Sequence, residues 1–292
     1  MVAEGFPWRH GDNVVTCAGD YPANVYPWMH LERLGVTVKR VGNSHGSVSV
    51  KELSSAVDKR TRLVALSFVH FASGFRNDLA LIGGFCRTHG IEFLVDAMQG
   101  LGVFDIDVKA MHVDYLCANS QKWLVAPQGA AVLFVDEAKL EGLRPISVGW
   151  KSVREPHKYS QIDFRLRRDS GRFECGSFII PSIIALGGSL SLLEEVGVRT
   201  VQDRVKEITD YLVHQLLAIG ATITSERVGE KWSGIVSFCI PGIDPEKAVE
   251  RARERHVAIS ARAGRIRVSP HFYNNREDID RLIASLKSDP TV

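Results

Sequence analysis

Two short stretches carry residue types that could do chemistry together. In Phe93-Leu-Val-Asp96-Ala-Met-Gln99-Gly-Leu-Gly102 an apolar run delivers an aspartate at its end, followed by a small residue, a glutamine and two glycines. In open α/β sheets, ligands sit beyond the carboxyl ends of strands, so Asp96 is a site candidate. Twenty-six residues after Asp96 comes Lys122, in Asn119-Ser-Gln121-Lys122-Trp123-Leu-Val-Ala-Pro-Gln-Gly129, again directly after an apolar run. A lysine set between a strand end and a tryptophan, with a carboxylate on the neighbouring strand, is confined enough for its pKa to fall, which is what a Schiff-base lysine needs. Each residue also has a plainer reading. An aspartate after a strand caps the next turn, and most lysines are solvated surface charge.

These residues need strands to present them. Apolar runs bounded by turn residues fall at 13–17, 36–41, 62–69, 92–95, 115–118 and 130–135, several of them near-continuous as in buried parallel strands. Helical periods alternate with them: Leu79, Ile82, Phe85 and Cys86 recur at three- and four-residue steps after Asp78, an N-cap. The expected class is α/β, a mostly parallel central sheet with helices on both faces. From 142 to 175 the pattern breaks into an Arg-, Lys-, Pro- and Ser-rich stretch with Arg165, Arg167 and Arg168 close together, read as a long irregular connection. Beyond Ser182, one long helix shows the stripe Val201, Val205, Ile208, Leu212, Leu216 and Ile219. Strands follow at 221–224 and 235–240, then a helix over 245–256, strands at 257–260 and 266–269, and a last helix capped by Asn274 or Asn275. The expected organisation is a large domain over 1–180 and a small C-terminal α+β domain over 181–292.

Composition narrows the partners. Among 292 residues, 45% are hydrophobic, which permits a large core and excludes disorder. The 36 basic and 34 acidic side chains leave a formal charge of +2, too balanced for a footprint on nucleic acid, and no segment has the apolar length of a membrane span. A small-molecule partner is favoured, with neither nucleic acid nor membrane. The five cysteines are scattered, with no C-x-x-C pair, and nothing like a secretory signal opens the chain; a cytoplasmic setting is expected. The ten histidines show no metal-ligand spacing, and the dinucleotide, P-loop, zincin and nucleophile-elbow motifs are missing.

Taken in order, Asp-Ala-x-Gln, x-x-Lys-Trp-Leu with Pro and Gly just after, Phe-Glu-x-Gly-Ser, and Arg-x-Ser-x-x-Phe-Tyr-Asn resemble the class V aminotransferases. This fold-type I group of pyridoxal-phosphate enzymes includes cysteine desulfurases, selenocysteine lyases, kynureninases and isopenicillin N epimerase-like proteins. The resemblance runs from about Phe6 to Leu286. It implies pyridoxal 5'-phosphate as cofactor, an amino acid as substrate and a homodimer. It implies that Lys122 forms the Schiff base, that Asp96 pairs with the pyridine nitrogen and keeps it protonated, and that Gln99 hydrogen-bonds the ring's phenolic oxygen. Tyr21 falls where an aromatic or histidine stacks on the ring. Gln121 takes the place of the usual histidine at the phosphate. Ser177, in Glu174-Cys-Gly-Ser177, is implied to reach the phosphate of the neighbouring subunit. Arg267 is implied to fork onto the substrate α-carboxylate, which fixes the bond that reacts. Arg265 is taken to point to the opposite strand face, as an ordinary surface charge.

Two departures stand out. Desulfurases of the family carry a nucleophilic cysteine on a mobile loop shortly before the substrate arginine, whereas 259–265 is short and holds none. The family pattern also begins already near Phe6, without the Gly/Thr-rich turn at a helix N-terminus that cradles the phosphate. The expectation is a PLP-dependent enzyme of aminotransferase, epimerase or lyase type. The alternative is a non-catalytic remnant of the same fold with weak cofactor binding.

Overall fold

The computed structural model describes residues 1–287. Its first part runs α1 (Val2–Gly5), β1 (Asn13–Cys17), α2 (Tyr26–Met29), β2 (Thr37–Val41), α3 (Val50–Ala56), β3 (Thr61–Ser67), α4 (Leu79–Thr88), β4 (Glu92–Asp96), β5 (Tyr115–Asn119) and β6 (Ala131–Val135). After the irregular stretch come α5 (Ile180–Val196), α6 (Val198–Ala218), β7 (Thr222–Ile223), β8 (Val236–Cys239), α7 (Pro245–Glu254), β9 (Ser260–Arg262), β10 (Arg265–Val268) and α8 (Arg276–Leu286). Short 3-10 turns join several of these.

The first six strands make one sheet in the order β2-β1-β3-β4-β5-β6, parallel except for β6, which runs antiparallel to β5. Alternation along each strand splits its side chains between two cores. Leu63 and Ala65 of β3 join Val14, Leu94 and Tyr115 on one face, while Val64 and Leu66 join Val15, Phe93 and Val95 on the other. Both faces are covered, as the near-continuous apolar runs require. The order reverses between β2-β1 and β1-β3, so the loops leaving β1 and β3 diverge at their carboxyl ends and open a crevice there.

The second sheet, β7-β8-β10-β9, is antiparallel and packs its own core of Ile208, Leu212, Phe238, Ile266, Ile279 and Leu282. The strand expected at 257–260 lies instead at Ser260–Arg262. Its position is set by the two-residue turn Ala263-Gly264, whose φ values of 50° and 70° give the twist a tight hairpin needs. Asn275 caps α8, its side chain accepting from the Asp278 N–H at 3.0 Å, with the reciprocal bond closing a capping box. Asn274 instead accepts the His271 N–H at 2.8 Å and bonds Asp278 from its amide.

Helix α5 meets α6 at 82°, and among the described residues no single helix is long and apolar enough to cross a membrane. Leu186 and Leu193 of α5, with Val201 and Val205 of α6, pack into the same core as β1, β3 and β4.

Candidate functional site

Four consecutive strands of the large sheet deliver side chains to one crevice. The loop after β1 carries Asp20 and Tyr21, the loop after β3 carries His70 and Phe71, β4 ends in Asp96, and Lys122 lies three residues past the end of β5. β4 and β5 are parallel neighbours with Asp96 opposite Cys117, so Asp96 and Lys122 stand at the same edge of the sheet. Each feels the other's charge.

Burial governs this pair. It pushes the Asp96 carboxyl up to about 6; the charge of Asp20 adds to the rise, while the Met98 N–H, donating at 2.9 Å, and Lys122 oppose it. Lys122 retains solvent access, yet the protein crowding it lowers its pKa, helped by the like charges of Arg267 and Arg262 and opposed by Asp96. An acid shielded from water beside an amine inclined to lose its proton gives one general-base candidate and one carboxylate that gains from a cationic partner.

Asp20 organises the floor. Its carboxylate accepts from Ser67 Oγ at 2.5 Å and Ser67 N at 3.1 Å, and from the Asn24 amide at 2.9 Å. The Tyr21 N–H donates to it at 2.7 Å, which orients the residue while leaving the tyrosine ring 49% exposed and edge-on to Phe71 at 5.1 Å. Gln99 is buried on the turn after Asp96. Gln121, beside Lys122, and Ser177, in the irregular stretch, are exposed. Among the described residues no hydrogen bond or ion pair joins Ser177 to the others.

Arg267 enters from the second sheet. Its Nη1 donates to the Phe71 carbonyl at 2.7 Å and its Nε to Ser260 Oγ at 3.2 Å, leaving Nη2 without a protein acceptor among the described residues. Burial lowers its pKa, with Arg262 as second cause. The Phe71 carbonyl is itself held in a series. The next three carbonyls accept from hydroxyls of the C-terminal part: Ala72 from Ser237 at 2.5 Å, Ser73 from Ser225 at 2.5 Å and Gly74 from Ser233 at 2.7 Å. His70 ties the loop to β1, its Nε2 donating to the Gly19 carbonyl at 2.7 Å.

The expectation that Arg265 faces away from Arg267 is corrected. Residues two apart on a strand share a face, and the burial of β10 alternates accordingly, with Ile266 and Val268 inward. Arg265 reaches His45, Nη1 to Nδ1 at 2.9 Å.

Three participants were not singled out from sequence. Asp20 lies one residue before Tyr21. Arg262 joins the face of Arg267 through the hairpin register, which sets it opposite Arg265, and that register depends on where the turn falls. His271, 7% exposed, stacks on Trp123 with ring centroids 4.7 Å apart and on Tyr273 at 4.6 Å. Nothing in its local sequence distinguishes it from a packing histidine.

The family model for Aminotransferase class-V matches residues 1–282. The chain is a class V aminotransferase family member. A probable cysteine desulfurase of Methanothermobacter thermautotrophicus is 28% identical over 307 residues, covering 98% of this chain and 75% of the relative. An uncharacterized aminotransferase of Bacillus subtilis, YcbU, is 28% identical over 93% of this chain and 70% of its own length. Among solved structures, the fold matches apo cysteine desulfurase from Thermococcus onnurineus with TM-score 0.88 at 22% identity, over 97% of this chain and 74% of that one. It matches the cystine C-S lyase C-DES, solved with cysteine persulfide, with TM-score 0.90 at 22% identity, over 98% and 77%. Class V aminotransferases are pyridoxal-phosphate enzymes acting on amino acids, and membership favours that activity over a non-catalytic remnant. The residues fit such a cofactor at its ring end: a buried acid, an amine with lowered pKa and an exposed aromatic face converge on one class V aminotransferase crevice.

Proposed function

We propose that Lys122 would hold the cofactor aldehyde and that its amine would carry the proton at substrate Cα. Asp96 pairs with the ring nitrogen, Gln99 with the ring oxygen and Tyr21 with the ring face, while Gln121 and Ser177 serve the phosphate. Arg267 takes the α-carboxylate on Nη2 and the second Nη1 proton. When bound, the cofactor supplies an electron sink for negative charge developing at Cα. The carrying observation is the placement of Asp96 and Lys122 at the ends of neighbouring parallel strands, within each other's field. The lowered pKa of Lys122 raises the fraction of free amine at neutral pH, which both attachment and proton transfer use.

The chemistry favoured is proton transfer at Cα, leading to transamination, epimerisation or elimination. Persulfide formation through a loop cysteine has no support, because the hairpin 260–268 holds no thiol and burial raises the thiols of Cys17, Cys86 and Cys117 to about 11, 12 and 12. In this reading residues 1–180 form the cofactor-binding unit and 181–292 the smaller one. Two copies form a homodimer in a reducing cytoplasm, with Ser177 reaching into the neighbour's site.

The test is direct. Purified protein mixed with pyridoxal phosphate is expected to gain visible absorption, and borohydride to fix the cofactor mass on the Lys122 peptide. Lys122→Ala should lose both, and a colourless wild-type protein overturns the reading in favour of the remnant. Arg267→Ala should weaken amino-acid binding far more than cofactor binding; equal loss of both removes it from the substrate site.

A further inference from the structure

The hairpin β9-β10 carries an imbalance that the proposed function does not use. Its register sets Arg262 opposite Arg265 and Ser260 opposite Arg267, so three guanidinium groups share one face. None pairs with a carboxylate among the described residues, although like charges on one face repel. Arg267 is anchored by Ser260 and the Phe71 carbonyl, and Arg265 by the His45 ring. Arg262 differs: it is exposed, its guanidinium donates to the carbonyl of its own neighbour Ala261 at 2.8 Å, and its charge acts on both Lys122 and Arg267. The tight turn at Ala263-Gly264 fixes where Arg262 leaves the strand, opposite Arg265 and close enough for its charge to reach Lys122 and Arg267. A monoanionic ligand group on Arg267 answers one of these cations and leaves Arg262 unanswered.

We propose that Arg262 is a second anion anchor of this site, so that the preferred substrates are amino acids whose side chain ends in a second acid group. The inference rests on the assignment of Arg267 to the α-carboxylate. With that carboxylate on Arg267 and the amino group at Lys122, the side chain is the part of the substrate left to extend toward Arg262. A guanidinium fork suits a carboxylate, sulfonate or phosphate ester equally in charge, and differs among them in geometry.

The pyridoxal-phosphate-loaded protein is titrated with L-aspartate, L-glutamate, cysteate and O-phosphoserine against L-asparagine, L-glutamine and L-alanine. Binding is followed by the change in cofactor absorption and independently by calorimetry. Acids are expected to bind at least about tenfold tighter than their amides, the ratio one charge-assisted pair supplies. Arg262→Gln is expected to bring that ratio to near one. Comparison among the acids names the preferred group. Equal affinity for acids and amides in the wild type overturns the proposal, as does a preference that survives in Arg262→Gln. A loss of pyridoxal-phosphate affinity in Arg262→Gln as large as its loss of acid affinity also overturns it, assigning the residue to the cofactor phosphate. The underlying reading fails separately and visibly: alanine binding that ignores Arg267→Ala removes the α-carboxylate from Arg267, and this proposal with it.

Discussion

Asp96 and His271 titrate in opposite senses, and each makes a pH-dependent contribution that can be measured without cofactor. Burial holds the Asp96 carboxyl at about 6, above its unfolded value of about 4. Its contribution to stability is therefore fully present below pH 4 and is lost as pH rises through 6, because the folded chain must then bury a charge. Asp96→Asn is expected to match the wild type at pH 4 and to exceed it above pH 6 by on the order of 2 kcal/mol, read by urea unfolding at both pH values. A less stable variant at pH 7 would mean that Lys122 already compensates the charge. His271 runs the other way: burial drops it to about 4 from an unfolded value of about 6.5, opposed by the nearby Lys122 backbone carbonyl. Its contribution is present above pH 6.5 and is lost as pH falls through 4. His271→Phe keeps a ring between Trp123 and Tyr273 and removes the titrating nitrogen. It should flatten the fall in stability between pH 6.5 and 4 by up to about 3 kcal/mol, and an unchanged slope would assign that fall to other groups. Asp96 was legible because it ends an apolar run and Lys122 because it follows one closely; His271 was not, since what isolates it is a stack across 148 residues of chain.

At the scale of elements, the docking of the lysine turn onto the second sheet depends on close approach rather than on any motif. The Trp123 ring lies where a Cβ on Gly234 would stand, 2.2 Å from the nearest ring carbon, with His271 stacked against it. Gly234→Ala must displace the indole and with it the turn that bears Lys122. The expected result is a loss of about 1–3 kcal/mol in stability, as for overpacking elsewhere, together with weaker pyridoxal-phosphate retention. A destabilised variant that retains cofactor fully would separate the tryptophan from lysine positioning. The hairpin turn offers the converse change. Ala263 holds φ at 50°, a region in which a side chain is strained and glycine is not, so Ala263→Gly should stabilise by a few tenths to about 1 kcal/mol in thermal unfolding. The six-stranded sheet was readable because buried parallel strands are apolar on both faces. β9 was displaced by a few residues because the chain at 257–259 is as apolar as a strand, and only the Ala-Gly turn fixes where pairing begins. The shared face of Arg262, Arg265 and Arg267 follows from the same pairing, and strand alternation alone contradicts the expectation that Arg265 points away.

At the scale of the whole molecule, the exposed large apolar side chains are concentrated on and before one helix. In α5 only Leu186 and Leu193 reach the core among its large side chains, while Ile180, Ile183, Ile184, Leu190 and Leu192 are 61%, 44%, 69%, 43% and 47% exposed. A helix apolar on all sides is one that packs on all sides. The irregular stretch before it adds Trp150, Tyr159, Ile162, Phe164 and Phe178 to the exposed set, which explains why neither segment read as an amphipathic element: the polar face that would have marked it is replaced by exposed apolar side chains. Patches beyond a few hundred Å² mark interaction sites in soluble proteins, and Ser177 lies within this sequence stretch. The proposed homodimer therefore joins two properties in one experiment. Wild-type protein is expected to sediment as a dimer, and Ile184→Lys, which places an unpaired charge on the outward face of α5, as a monomer with unchanged far-ultraviolet dichroism. If Ser177 serves the phosphate of the opposite copy, that monomer should also bind pyridoxal phosphate at least about tenfold more weakly, the worth of roughly one charge-assisted hydrogen bond, although Lys122 and Asp96 are untouched. A folded monomer with undiminished cofactor affinity would leave the apolar face as an interface but remove Ser177 from the site, and a wild-type monomer in solution would remove both.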